Sequence, residues 1–291
     1  MMLPTNPVSP DGPPFPARPA LALAFAFAAA FLAASPCLPA AAQTAGPGES
    51  EYLRLARRPP GATPVRNERT VHRRACRRDT YTYGIGYVRG IDGGGPVDRA
   101  VAAFAGDLFS GAGMESIDEF RDDESPCEPD AWEYFSTGSA EAFVVSPSAY
   151  SVLFSTSWYT GGTHPVPGFA ALNLRADGSE ITLHQLFPDS ARSLPLFTER
   201  VYRGFCSLGH DKAPFIFGYD KPCWGASAGI PEWIEFSEDS LDAAGHSVLT
   251  EMGLSINLIG YEAFSHADGP HFMDFPKEVL IELGADPAVW R

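Results

Sequence analysis

Three short stretches of the chain gather side chains able to do chemistry. Gly225-Ala226-Ser227-Ala228-Gly229 spells the G-x-S-x-G turn of a serine nucleophile, and Asp239 or Asp242, then His246, His266 or His271, follow in the chain order of a hydrolase triad. That turn requires a buried strand just before the serine and a helix just after it. Here Tyr219-Asp220-Lys221-Pro222-Cys223-Trp224 precedes the motif, and Ile230-Pro231 follows, where the proline biases Ile230 away from helix. The context favours a loop, so no catalytic residue is assigned and a secreted serine hydrolase stands as the alternative. In the second stretch His266 and His271 surround Asp268, a ligand set that transition metals accept. Gly269-Pro270 breaks any helical spacing there and no further ligand is close in sequence, so neither a metal nor a cofactor is expected. The third stretch is Tyr159-Thr160-Gly161-Gly162-Thr163-His164. Its glycine pair permits close approach of another molecule, and Tyr159 and His164 flank the opening with hydrogen-bonding rings. Those residues suit gripping rather than transforming. A structural corner, with both rings bonded to neighbouring backbone, explains them at least as well.

The elements that must position these groups follow from periodicity. Thr80 to Ile91 alternates aromatic or aliphatic residues with small ones, as a half-buried strand does. Val97, Val101, Phe104 and Leu108 then fall on one helical face. The acidic stretch from Glu115 to Asp130 reads as a loop. Glu141 to Thr160 supplies strands broken at Pro147, and two alternating runs around Asp177-Gly178 predict a hairpin whose second strand ends at Leu183. A helix follows over 186–205, with Leu196, Val201 and Phe205 on one side and Pro195 near its start. An aromatic, glycine-rich excursion, a strand pair turning near Gly253, a short strand and a closing helix complete the chain. Strands joined mainly by hairpins predict an α+β fold: antiparallel sheet, helices packed on one face, and two lobes at 79–150 and 151–291.

Composition bounds what such a fold is for. Arg18, the apolar run Leu21–Ala34 and the small residues Ala40 and Ala42 make residues 1–42 an expected signal peptide, cut before Gln43. Fourteen apolar residues fall short of the roughly 20 a membrane helix needs, so no stable membrane insertion is expected once it is cut. Pro36 and Ala34 argue against lipid attachment at Cys37. A periplasmic or secreted chain with Cys76, Cys127, Cys206 and Cys223 predicts two disulfides in one of three pairings, sequence neighbours favouring Cys76–Cys127 and Cys206–Cys223. Residues 43–78 hold nine Arg against three Glu and read as an Arg/Pro-rich flexible linker, whereas 79–291 hold eleven basic against thirty-two acidic residues, a net −21. A body this acidic repels nucleic acid and anionic lipid and favours a basic partner; simple solubility is the competing explanation. Phosphate loops, dinucleotide fingerprints and RNA-binding aromatic platforms have no match.

Tyr159 to Phe187, with its aromatic-x-Gly-Gly-x-His string and its Thr-Leu-x-x-Leu-Phe step into a helix, resembles the extracytoplasmic domain shared by RsiV-type lysozyme-sensing anti-sigma factors and the accessory region of PdaC-type peptidoglycan deacetylases. The block Gly253–Leu280, with Tyr261-Glu262 ahead of a glycine-containing turn, is similar to that domain's second block. The resemblance covers most of 151–283 and, more loosely, 79–150. It departs at Ser265-His266-Ala267, where the family carries Pro-Tyr-Ala, and it brings neither the anti-sigma segment with its membrane helix nor the deacetylase metal motif. It implies a non-enzymatic envelope module that binds a basic cell-wall-active protein such as lysozyme, or a cell-wall glycan such as a peptidoglycan fragment. The ligand-binding residues would be Tyr159, Thr160, Gly161, Gly162 and His164 with Tyr261 and Glu262. A purely structural envelope protein is the remaining alternative.

Overall fold

The centre of the fold is a long hairpin whose apolar residues do not alternate at all over its inner half. Phe143, Val144 and Val145 are all buried, as are Val152, Leu153 and Phe154, which requires covering layers on both faces of the sheet. The computed structural model describes residues 43–45, 50–111, 114–127, 133–159, 165–207, 247–258 and 271–291. Strands β1 (Gln43–Ala45), β2 (Thr63–Val65), β3 (Glu68–His72), β4 (Thr80–Ile85) and β5 (Tyr87–Arg89) come first, with helix α1 (Glu51–Leu55) between the first two. Helices α2 (Pro96–Gly111) and α3 (Met114–Asp122) lead to the hairpin strands β6 (Glu133–Ser146) and β7 (Ala149–Tyr159), then β8 (Val166–Arg175). After α4 (Leu183–Leu186) and α5 (Ser190–Ser207) come β9 (Ser247–Thr250), β10 (Gly253–Leu258), β11 (His271–Pro276), α6 (Lys277–Glu282) and a terminal 3-10 turn, Pro287–Trp290.

A five-stranded sheet runs β3-β4-β6-β7-β8, a four-stranded one β1-β11-β10-β9, and β2 pairs with β5. On one face of the five-stranded sheet, Ala142, Val152, Phe154, Leu172 and Leu174 meet Val97, Val101 and Ala105 of α2. Its other face sends Phe143, Leu153 and Ala171 against Leu53 of α1, Val248 and Phe272. A third cluster joins Leu249, Leu254, Ile256, Met273 and Phe275 of the smaller sheet to Phe197 and Val201 of α5 and Leu280 of α6. The class is α+β, as expected.

Several expectations need correction. Strands β4 and β6 pair in parallel, because α2 and α3 carry the chain back across the sheet, so the large sheet is mixed. Helices do not share one face: α2 covers one sheet, while α5 and α6 belong to the core of the other. The proposed division at 150/151 falls inside β7, directly after its second residue, and Ala41 to Arg291 form one compact unit. The acidic stretch read as a loop contains α3, whose Ile117 and Phe120 turn one side towards Tyr81 and Tyr134. Leu196 is exposed, and Leu194, Phe197 and Val201 carry the buried side of α5. The hairpin around Asp177-Gly178 is real, with Gly178 at φ 82°, but its second strand shrinks to a single bridge between Leu174 and Glu180. Thr182 and Gln185 form a capping box there and start α4 instead.

Residues 43–78 are the largest correction. Rather than a flexible linker, they supply β1, α1, β2 and β3. Their arginines reach acidic groups far along the chain: Arg57 to Glu251 (3.3 Å), Arg58 to Glu141 (2.8 Å) and Arg74 to Asp122 (3.0 Å). Arg73 is only 5% exposed, forks onto Asp79, bonds Asp123 at 3.1 Å and donates to the carbonyl of Ser125 at 2.8 Å. Beside it Cys76 and Cys127 form a disulfide with Cα atoms 5.3 Å apart, one of the two expected pairings. Cys223 and the side chain of Cys206 lie outside the described residues, as do residues 1–42.

Helix α1 is tied down by one carboxylate. Asp274 on β11, 1% exposed, accepts from the Ser50 hydroxyl at 2.6 Å and from the Tyr52 amide at 3.2 Å. Burial pushes its pKa up, against the opposing pull of Ser50, Ser255 and the Tyr52 amide. Ser255, directly opposite on β10, keeps its buried hydroxyl without a well-formed hydrogen bond. Burial, helped by Asp274, also drives the Tyr52 phenol up to about 12.

Two outcomes follow. A folded Asp274 pKa above its unfolded value, about 3.9, means that folding takes up a proton between the two; stability therefore falls as pH rises through that interval and levels off above it. Urea unfolding across pH 4 to 7 should show this slope in the native chain and a reduced one in Asp274→Asn. The disulfide closes a 51-residue separation, so Cys76→Ser with Cys127→Ser should lower the unfolding free energy by about 4 kcal/mol, read from urea curves of both proteins.

Candidate binding surface

Strands β6 and β7 run past α2 and the smaller sheet, the described layers that bury their inner half. From Glu133 to Ser139 and from Ser155 to Tyr159 every residue is half-buried or exposed. Aromatic residues occupy this outer end. Because neighbours on a strand point to opposite faces, the pairs Tyr134-Phe135 and Trp158-Tyr159 put rings on both sides of the sheet. Phe135 lies opposite Tyr159 in the register, and their rings stack at 5.8 Å with a 29° interplanar angle. Tyr159 also approaches Tyr134 at 6.5 Å, Tyr134 meets Phe120 edge-on at 5.4 Å, and Phe120 reaches Tyr81 at 5.7 Å. A row of rings thus runs from the buried Tyr81 to the open end of the sheet. Trp158, opposite Ser136 and Val166, is 46% exposed.

Carboxylates border the aromatic end. Glu119, Glu124 and Glu133 are exposed, as are Asp118, Asp122 and Asp123. Arg121 bridges to Asp118 at 2.7 Å and holds the Asp122 pKa below the usual carboxylate range. The hydroxyl and amide of Ser125 hold Asp123 down, with Arg73 adding to the effect. Asp122 and Asp123 therefore stay charged at neutral pH. Tyr134 is shifted the other way, upward, by burial and then by the charge of Asp79.

A second polar cluster closes the glycine loop before α2. Asp92 accepts from the amides of Gly95, Val97 and Asp98, and Asp98 from those of Ile91 and Gly94. Burial would raise the Asp92 pKa, but its amide donors and Asp98 bring it below the ordinary value. Both carboxylates are consumed in holding the helix start. Among the described residues no three His, Cys, Asp or Glu side chains gather as a metal site, and no helix is long and apolar enough to cross a membrane.

Of the ligand-binding residues expected from sequence, Tyr159 is at the aromatic end. Thr160, Gly161, Gly162, His164, Tyr261 and Glu262 lie outside the described residues, as do Ser227, Asp239, Asp242, His246, His266 and Asp268; His271 opens β11 with its side chain undescribed. Trp158, Phe135, Tyr134 and Phe120 were missed. Their signal was the two aromatic pairs at the same end of adjacent strands.

No family model matches the chain, and no curated protein matches it. It is similar to two solved structures of DUF3298 family proteins. One is from Pseudomonas aeruginosa PAO1, at 12% identity and TM-score 0.48, covering 79% of this chain and 95% of that one. The other is from Bacteroides fragilis NCTC 9343, at 11% identity and TM-score 0.48, covering 78% of this chain and 95% of that one.

Surface and core roles separate by stability. Trp158→Ala removes an exposed ring and should change the urea unfolding free energy by no more than about 0.5 kcal/mol. Tyr159→Ala loses the Phe135 stack and should cost about 1–2 kcal/mol in the same measurement.

Proposed function

We propose that this chain is a non-enzymatic, exported binding module that captures a basic, cell-wall-active protein of the lysozyme kind on the outer end of β6, β7 and β8. The observation that carries the reading is Trp158, a large ring left 46% exposed on a regular strand, with the Tyr159–Phe135 stack on the opposite face of the same strand end. Exposed tryptophan and tyrosine on a stiff support are typical anchors of protein interfaces, since few rotamers are lost on binding. The acidic border selects the partner. Carboxylates on α3 and the segment after it attract a basic protein and speed its encounter. Peptidoglycan fragments bring carboxylates of their own in the peptide stem and would be repelled from the same border, so a protein partner is preferred over the glycan. The disulfide agrees with an oxidising compartment outside the cytoplasm. The hydrolase reading rests on Ser227, outside the described residues, and gains no support here.

The test is calorimetric titration of the chain with lysozyme at low and high salt, repeated with Trp158→Ala. Binding should weaken as salt rises, and the variant should bind about 30-fold more weakly, the loss expected of an interface anchor. Absence of binding at low salt, or an unchanged affinity in the variant, refutes the reading. Trp158-dependent binding of a soluble peptidoglycan fragment in place of lysozyme would transfer the surface to a glycan.

A further inference from the structure

The two halves of the Cys76–Cys127 disulfide sit in unlike surroundings. Cys76 is 2% exposed, whereas Cys127 ends a run, Asp122 to Cys127, in which every residue is exposed. An incoming thiolate therefore reaches Cys127 first, and accessible disulfides are the ones open to thiol exchange. Apart from the bridge, the Cys127 sulfur has a long contact to the Ala75 carbonyl, at 3.6 Å.

What the bridge holds is the exit of α3. The segment behind that helix gives the buried Arg73 three acceptors: the Asp123 carboxylate at 3.1 Å, the Ser125 carbonyl at 2.8 Å and the Pro126 carbonyl at 3.4 Å. Arg73 also forks onto Asp79, and both side chains are buried, so release of 123–127 leaves the cation paired. Helix α3 is nine residues long, too short to persist alone in water. It docks through Ile117 and Phe120 onto Tyr81, Tyr83 and Tyr134, through the Arg74 amide, which donates to Arg121 O at 3.0 Å, and through the exposed Arg74–Asp122 pair. The three larger core clusters take no residue from 114–127.

We infer that Cys76–Cys127 is a redox latch: reduction by an external dithiol frees 123–127 and loosens α3 from the aromatic row while the rest of the body stays folded. A thiolate of the dithiol attacks Cys127 Sγ, a mixed disulfide forms there, and Cys76 leaves as a thiolate that takes a proton from water. The second sulfur of the dithiol, having lost its proton, attacks the first; the oxidised dithiol closes and Cys127 leaves and is protonated in turn. Two electrons pass from the dithiol to the protein. The inference rests on the binding-module reading for what the latch controls. Helix α3 sets Phe120 against Tyr134 and carries Asp118, Glu119 and Asp122 of the acidic border, so the reduced chain holds a basic partner more weakly.

The test is reduction of the full chain by dithiothreitol at urea concentrations below the unfolding transition, with alkylation and peptide mapping to follow Cys76 and Cys127. The bridge should be cut at a rate that stays flat across this range, because no global unfolding is needed. Once it is cut, the Phe120 and Arg121 amides should exchange hydrogen about tenfold faster or more, again independently of urea, while those of Val152 and Phe154 still exchange through global unfolding. Cys76→Ser with Cys127→Ser, which leaves Cys206 and Cys223 untouched, should reproduce that exchange pattern. A reduction rate that climbs with urea as unfolding does, or unchanged exchange at Phe120 and Arg121, overturns the latch. Lysozyme should bind the reduced chain about tenfold more weakly than the oxidised one. Equal affinity with α3 loosened overturns the control of binding; no binding to either form, with α3 loosened, sinks the binding-module reading and leaves the latch standing.

Discussion

Burial of one hairpin on both faces is the constraint from which the rest of the structure follows. Phe143 and Leu153 face one way, Ala142, Val152 and Phe154 the other, and none can be left in water without forfeiting about 1.5–3 kcal/mol for each large side chain. Strands β6 and β7 alone cannot meet that demand. Helix α2 covers one side, with Val97 and Val101 fully buried, and the second sheet with α1 covers the other. The covering layers stop before the strands do. What extends beyond them is stiff because it continues a paired strand, and among the described residues it meets α3 through Phe120 and Tyr134 while Trp158 stays exposed.

Charge supports the same arrangement. Segment 43–78 carries a surplus of arginine and the remainder a surplus of carboxylate, so folding the one onto the other brings opposite signs together. The exposed pairs, such as Arg57 with Glu251, contribute little individually because water screens them. Arg73 behaves differently. Withdrawn from solvent, it is satisfied by Asp79, Asp123 and two backbone carbonyls, and the neighbouring disulfide keeps those partners in place. Asp274 plays a comparable part for α1. Two buried polar anchors therefore dock the N-terminal segment that composition alone presents as loose.

Local features were legible in the sequence and distant ones were not. The helical face of α2, the break at Pro147, the turn at Gly178 and the bridge between Cys76 and Cys127 each depend on residue types that dictate a conformation or a bond over a limited span. The parallel partner of β4 and the acidic partners of Arg57, Arg58 and Arg73 are set by topology, which periodicity does not encode. Composition misled at 43–78, where Pro and Arg imitate a tether while short strands use them at edges. At Thr182 the information was present, since Thr-Leu-His-Gln spells a capping box, but the alternation around Asp177-Gly178 outweighed it. Of the candidate surface, Tyr159 was singled out through its glycine loop; its working partner, Phe135, needed the strand register.

The aromatic end owes its character to strand pairing. It lies where β6 and β7 run past α2 and the smaller sheet, Trp158 standing opposite Ser136 and Val166 in the register. A partner docked there would meet backbone already ordered by ladder bonds, so little conformational entropy would be lost on association. A loop could present the same side chains only at a larger ordering cost. Among the described residues, rigidity and exposure coincide at Trp158, on a strand whose backbone is paired on both sides.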